Sequence, residues 1–563
     1  MKKITIKLLT ALLLIAFILP ICACSSSNNG NSAATGTGDK PVNDTTPEIT
    51  TTETPAANVD IKNEAIYIMA GETYELGYEV DNKAGKVEWS SSTDCATVEN
   101  GVVTAVKEGY SRVSANGGDS VLIVVLPKTM ASISVNTNGQ NLIDRETYVS
   151  CKVSVNSENK DYSMKNESAG IRYRGNSTFY TPPKKPYRLK FDSKVNLLGM
   201  NEGAECKSWV LLAEAYDDSY MRDAVAYSLA ASITGQYASD FRYVKLYLNG
   251  KYMGIFLLAE QTQINSERID IEEAGKDTAN LASGYLFEIN GSDAYDSTKG
   301  FKIYHTNYPM TDLTGGTFKN AIDHNMTVNN DDFTRDQLMF AKYYMRCIFE
   351  ILYQATYNNE AYEFKFDIFN SQEQATTFYK TCSDGNDYTK GIQKSKMTPQ
   401  EAVEAVIDVE SFAKKYLLYE IMCNGDSFRK SYFMWVDLSD GGSKKLTDGC
   451  PWDHDGAMVT WDTYDYRPTE GYFDAYGNVW HLVLMCNDWF VELVEQEWQK
   501  MYADNDGFDY VLDMINAVTD AYEKDFDKEH EMWNRQYKQR VQAEITYDWL
   551  TKRIAWMESE FGE

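Results

Sequence analysis

Residues 424–456 read NGDSFRKSYFMWVDLSDGGSKKLTDGCPWDHDG, and the fold turns on how this stretch is read. The run before it, VIDVESFAKKYLLYEIMCN, places apolar residues at helical spacing, with Asp408 set to cap a helix over 409–423. Asp426 therefore falls just past a helix end. SYFMWVDL is aromatic and β-branched, GGS marks a turn, and KKLTDGC leads into Pro451-Trp452-Asp453-His454-Asp455-Gly456. Helix, loop, hairpin and loop return the chain to its start, which predicts that Asp426 and Asp453 meet. A single carboxylate beside an Asp-x-Asp pair supplies a base and a metal clamp, the parts that phosphoryl transfer needs. The same acids also suit plain turn formation, because Asp is common in turns. Spacing alone does not separate the two.

Towards the N-terminus, FRYVKLYLNGKYMGIFLLAEQ reads as a hairpin, with strands over 241–248 and 251–259 flanking Asn249-Gly250, the favoured type I′ pair. Glu260 ends the second strand, where a carboxylate can meet a strand-borne lysine. GYLFEIN at 284–290 is another strand and carries Glu288, while 209–215 is a strand followed by a helix to about Ile233, capped by Asp218-Ser219. Earlier still, GIRYRGNSTFYTPPKKPYRLKF at 170–191 gives a strand, a Gly-Asn-Ser-Thr loop, a Pro-Pro break and a second strand. Arg172, Arg174, Lys184, Lys185, Arg188 and Lys190 concentrate positive charge there in an otherwise acidic chain. A loop of this kind beside fixed cations suits a triphosphate. It matches neither glycine-rich nucleotide signature, however, and charges on a strand face read equally well as solvated. Lys185 and Lys190 are rivals for a phosphate role, since their odd spacing across a proline puts only one of them in a cleft. Beyond Gly456 come an aromatic loop and helices at about 480–502, 508–533 and 536–560, whose Leu, Val, Met and Trp stripes read as core. Residues 311–400 are mixed helix and loop, and no chemistry is assigned to them.

The N-terminus has its own organisation. Lys2, Lys3 and Lys7 precede an apolar run from Leu8 to Leu19, too short to span a membrane, then Pro20-Ile21-Cys22-Ala23-Cys24. This is a signal peptide over 1–23, and Ile21–Cys24 resembles a bacterial lipobox with Cys24 as the acylated residue. Residues 24–58 are Ser-, Thr-, Asn- and Gly-rich and form a disordered tether. Over 59–127, short alternating runs between Gly, Asn and Asp turns predict a small all-β sandwich. The order EWSSS…ATVENGVVTAVKEGYSRVSA is similar to bacterial immunoglobulin-like group 2 domains, which serve as spacers or adhesive modules. Signal removal takes three of the 54 basic residues and none of the 83 acidic ones, leaving a net charge of −32. That excludes a nucleic-acid surface as the default expectation. Eight cysteines beyond Cys24 are scattered without a zinc spacing, and their pairing is not readable from sequence.

Taken together, GIRYRGNST…PKKPYRLKF, WVLLAEAYDDSYMRDAVA, VKLYLNGKYMGIFLLAEQ, GYLFEI, DVESFAKKYLLYEIMCNGDSF and PWDHDGA resemble, in order, the blocks of the CotH (spore coat protein H) kinase family. The resemblance implies an α+β, atypical protein-kinase-like domain over 128–500, with C-terminal helices over 501–563 packed on it. It also implies ATP with Mg²⁺ or Mn²⁺, and phosphorylation of Ser or Thr on exported or surface proteins, here from the extracellular side of the membrane through the lipid anchor. Carried over by position, Asp426 is the catalytic Asp and Asp453 the metal ligand, with Asp455 auxiliary. Arg174 and either Lys185 or Lys190 meet the phosphates, with Glu260 as ion-pair partner. Two departures stand out: Ser431 lies where an Asn metal co-ligand is expected, and Asn290 where an acid often follows the GYL strand. A Ser hydroxyl can still ligate Mg²⁺. Two other readings remain at this point. One is a non-catalytic (pseudokinase) surface assembly protein. The other is a carbohydrate-active enzyme using two of the acids, which leaves the Arg/Lys-rich strands unexplained.

Overall fold

The computed structural model describes residues 57–562 apart from 64, 82–84, 275–279, 292–295 and 461–462. The expected signal peptide, Cys24 and nearly all of the expected tether lie outside the described residues. Ala65–Met69, Ser120–Leu126, Gly109–Ala115 and Trp89–Ser91 form a four-stranded sheet that faces a three-stranded sheet of Thr73–Glu75, Val102–Ala105 and Ala96–Glu99. Ile66, Ile68, Val113, Val121 and Ile123 meet Val103 between them. The module is not free-standing. SVLIVVL is apolar on both strand faces, so Val124 and Leu126 enter the main core of the chain while their neighbours fill the module's own. Polar contacts reinforce the joint: Tyr110 donates to Asp240, and Ser157 to Glu108.

Seven strands then close into a barrel, in the order Ser132–Asn136, Val149–Asn156, Met164–Tyr173, Tyr187–Val195, Cys206–Leu212, Lys251–Glu260 and Phe241–Leu248. All neighbours are antiparallel except the closing pair, in which Ser132–Asn136 runs parallel to Phe241–Leu248. Ile133, Val153, Ile171, Leu189, Trp209, Leu246 and Phe256 fill the interior. With side chains alternating along each strand, Arg172, Arg188 and Lys190 lie on the outer face. The predicted hairpin turn is present, with Asn249 and Gly250 both left-handed (φ +50° and +79°). Asn249 also accepts the Thr137 amide at 2.8 Å, which fixes the turn to the neighbouring strand.

The second half is built on a five-stranded antiparallel sheet in the order Gly300–Ile303, His324–Val328, Gly284–Asn290, Tyr432–Asp437 and Thr447–Asp448. Helices Arg335–Asn358 and Val409–Met422 belong to the same core. Asp408 caps the second of these, and Cys423 ends it in the left-handed conformation (φ +46°). The expected 480–502 helix is two, Val479–Met485 and Asp488–Asp504, because Asn487 turns its amide onto the Val483 and Leu484 carbonyls. The terminal helices Asp509–Trp533 and Gln539–Phe561 are held by buried ion pairs. Lys184 lies 2.6 Å from Glu529, and Arg553 2.8 Å from Glu420. All eight described cysteines are unpaired and seven are buried. No helix among the described residues is long and apolar enough to cross a membrane.

Candidate active site

The hairpin of Tyr432–Asp437 with Thr447–Asp448 sets Met434 opposite Asp448, so the loop before the first strand and the loop after the second leave the same end of the sheet. Asp426 lies on one loop and Asp453 on the other. Asn424 stitches them together: its amide donates to the Asp453 carbonyl at 3.3 Å, and its oxygen accepts the Asp426 amide at 3.1 Å. Ser431 donates its hydroxyl to Asp453 Oδ2 at 3.1 Å. Ser431 and Asp453 both have left-handed backbones (φ +57° and +64°). Non-glycine residues held this way are strained, and such strain concentrates where geometry serves a site.

Helix Arg222–Ile233 points its N-terminus at the Asp453 loop. Asp223 Oδ1 accepts the His454 amide at 2.6 Å, and Arg222 donates to the Asp455 carbonyl at 2.9 Å. The helix was expected to begin at Asp218-Ser219. It begins later because Asp217, rather than Asp218, accepts both the Ser219 and the Arg222 amides.

A set of acids thus converges with little compensation. Burial, opposed by the Lys430 ammonium 2.9 Å from its Oδ2 and aided by the Asp453 charge, pushes Asp426 up to about 6. Burial and the Asp453 charge push Asp223 up to about 7. Glu288, on the central sheet strand, is also raised to about 7 by burial, against a hydrogen bond from Asn329 at 2.6 Å. Asp455 is raised strongly, by burial and then by Asp453, Asp223 and Asp426. Behind them Glu214, left-handed at φ +48° and 2 % exposed, has both carboxylate oxygens without a partner. Burial and then the Asp223 charge raise it well above the usual carboxylate range. A cavity of about 240 Å³ between the N-terminal β module and the barrel is lined by none of these acids.

The expected cations divide. Arg174 reaches the site: its guanidinium lies 5.3 Å from the ring of Trp452, the residue before Asp453, and its charge lowers Asp223 and Glu288. Lys185 turns back to donate to the Pro182 carbonyl at 2.5 Å, and Lys190 stands exposed on the outer barrel. The expected lysine partner of Glu260 is corrected. Glu260 is fully buried against Arg268, Nε to Oε1 at 3.2 Å, because the loop after its strand folds back and brings that guanidinium in. Asp223, Glu214 and Lys430 were not picked out from sequence. Lys430, four residues after Asp426, was the most findable of the three.

The donors are hard carboxylate and hydroxyl oxygens, which fit Mg²⁺ or Mn²⁺. Among the described residues no three His, Cys, Asp or Glu side chains are close enough to hold an ion by themselves. Asp453 and Asp455 are the carboxylates that could hold such a cation, with phosphates and water completing the shell.

A seven-stranded barrel followed by a half built on a five-stranded sheet and helices, with Asp426 and Asp453 on loops at one end of that sheet, fits a kinase-like class of protein. The sequence model of the family described as CotH kinase protein matches residues 171–557, and the chain belongs to that family. No curated protein matches it.

Proposed function

We propose that this is an exported, lipid-anchored protein kinase. It would transfer the γ-phosphate of ATP to Ser or Thr hydroxyls of surface or spore-coat proteins, with the 59–127 module as an immunoglobulin-like domain outside the membrane. The observation that carries the reading is the meeting of two acidic loops: Asp426 with Lys430 at 2.9 Å on one, Asp453 on the other, tied together by Asn424, with Arg174 against the Trp452 ring beside Asp453. Asp426, with its elevated pKa, accepts the proton of the attacking hydroxyl as that oxygen bonds to the γ-phosphorus and the bond to the bridging oxygen breaks. Lys430 and Arg174 offset the charge that grows on the phosphoryl and leaving oxygens. Mg²⁺ or Mn²⁺, held by Asp453 and Asp455, supplies further charge neutralisation when bound.

The test is incubation of the purified protein with labelled ATP, each divalent metal and native cell-surface proteins. Metal-dependent label on Ser or Thr is expected. A second reading has one observation in its favour. Ser431 stands where an Asn ligand was expected and gives its hydroxyl to Asp453. ATP binding without transfer to any surface protein would favour that pseudokinase reading.

A further inference from the structure

Five polar side chains, each at most 1 % exposed, are linked through the core behind the two acidic loops. Lys415, on helix Val409–Met422, donates to the carbonyls of Gly449 and of Cys450, the latter at 3.2 Å. Pro451 follows and opens the Asp453 loop. The same ammonium lies 3.7 Å from Asp448 Oδ1. Asp448 Oδ2 meets His481 Nε2 at 2.9 Å and accepts the Tyr432 hydroxyl. On its other side, His481 Nδ1 meets Asp474 Oδ2. Asp474 Oδ1 lies 3.2 Å from the hydroxyl of Ser427, the residue after Asp426, which shares its proton with the Asn424 carbonyl at 2.7 Å.

These donors and acceptors fix the charge on His481. Ionised carboxylates only accept, so an imidazole with a carboxylate oxygen at each nitrogen carries a proton on both. A neutral ring would turn a lone pair onto one of the two acids. Burial works against the charge, but Asp474 and Asp448 outweigh it and raise His481 to about 9. Lys415, Asp448, His481 and Asp474 then alternate in sign and sum to zero, the arrangement in which buried charge is tolerable. Tyr419 and Tyr432 present their rings to Lys415 at 4.9 and 4.7 Å, and Tyr416 and Phe412 present theirs to His481 at 5.6 and 6.1 Å.

A buried ionic network adds little stability over an apolar core, and its attested use is to hold one geometry. What this one holds is set by its ends. One end grips the backbone three residues before Asp453, and the other meets the side chain next to Asp426. Asn424 ties these two loops to each other directly. The buried side chains tie them a second time, through the core.

We propose that Lys415 and His481 are positioning residues: with Asp448 and Asp474 they form a charged relay that sets the spacing of Asp426 from Asp453. Both are fully buried, and neither reaches a substrate. That this spacing governs phosphate transfer rests on the kinase reading; that the relay is charged and joins the two loops does not.

The whole protein, labelled with ¹⁵N-histidine, contains five imidazoles, and His481→Gln assigns the one of interest. At pH 7.5 the His481 signal should show both nitrogens protonated. Asp474→Asn, which keeps a hydrogen-bonding side chain there, should convert it to a neutral ring. Two further changes cut the relay, one at each end. Ser427→Ala removes the link to the Asp426 loop. Lys415→Met with Asp448→Asn removes one charge of each sign, so the core stays neutral while the grip on Gly449 and Cys450 is lost. Each should lower Mn²⁺ affinity, measured by calorimetry, and the transfer rate per folded molecule by roughly 10-fold, the lower end of what residues supporting a metal site contribute. Combined, they should cost hardly more than the larger alone, since both cut one connection. A neutral His481 in the wild type overturns the proposal. So do strictly additive losses, and so does a drop in melting temperature with Mn²⁺ affinity and rate unchanged, which makes the network core packing. If the wild type transfers no phosphate the kinase reading falls, while an imidazolium with non-additive losses of Mn²⁺ affinity still supports the relay.

Discussion

Asp426→Asn should make the protein more stable and nearly inactive at once. Asp426 titrates near 6 in the fold against an ordinary value of 3.8. Between those values the native carboxyl holds a proton that the unfolded one has lost, so stability falls as pH rises through that window. A two-unit elevation at ~1.4 kcal/mol per unit makes the ionised carboxylate a penalty of about 3 kcal/mol above pH 6. Asn removes the penalty, in which the opposing pull of the Lys430 ammonium is already contained. The expectation at pH 7.5 is a gain of about 3 kcal/mol, shrinking towards zero below pH 4. Chemical denaturation from pH 4 to 8 reads it directly. Phosphate transfer should fall by roughly 10²–10⁴, the usual worth of a positioned acid–base group, with Mg-ATP affinity nearly kept. In the wild type the rate should climb through an acid limb near pH 6. A variant destabilised at pH 7.5 would show that Asp426 is a structural turn residue. One that transfers phosphate at the wild-type rate would remove it from the chemistry.

Asp453→Asn should weaken metal-dependent nucleotide binding far more than Asp455→Asn, measured by calorimetry with and without Mg²⁺; equal effects would point to a structural turn. Arg553→Leu leaves Glu420 buried without its cation and should cost about 3–5 kcal/mol, read from the denaturation midpoint. Adding Glu420→Gln to that variant should recover much of the loss, and no recovery would dismiss the ion-pair account. Cys24→Ala should release protein into the medium and abolish fatty-acid labelling; retained label would end the lipid-anchor proposal.

Features set by neighbours in sequence were legible. Asn249-Gly250 dictates a left-handed pair at the hairpin tip, and Asp408 caps the helix that delivers Asp426. The meeting of Asp426 with Asp453 was also within reach, because one helix and one short hairpin enforce it. Features that need two distant segments were not. Asp223 and Glu214 sit in a block whose pattern speaks only of strand and helix. Their chemistry appears when the His454 amide docks on Asp223 from the far side of the domain. Glu260 illustrates the opposite hazard. A carboxylate at a strand end was matched to a lysine on a neighbouring strand, but Arg268 lies only a short loop away and arrives first. Of Lys184 and Lys185, the side that meets Glu529 depends on a C-terminal helix that no local pattern connects to it. The break at Asn487 was missed because apolar periodicity runs through it.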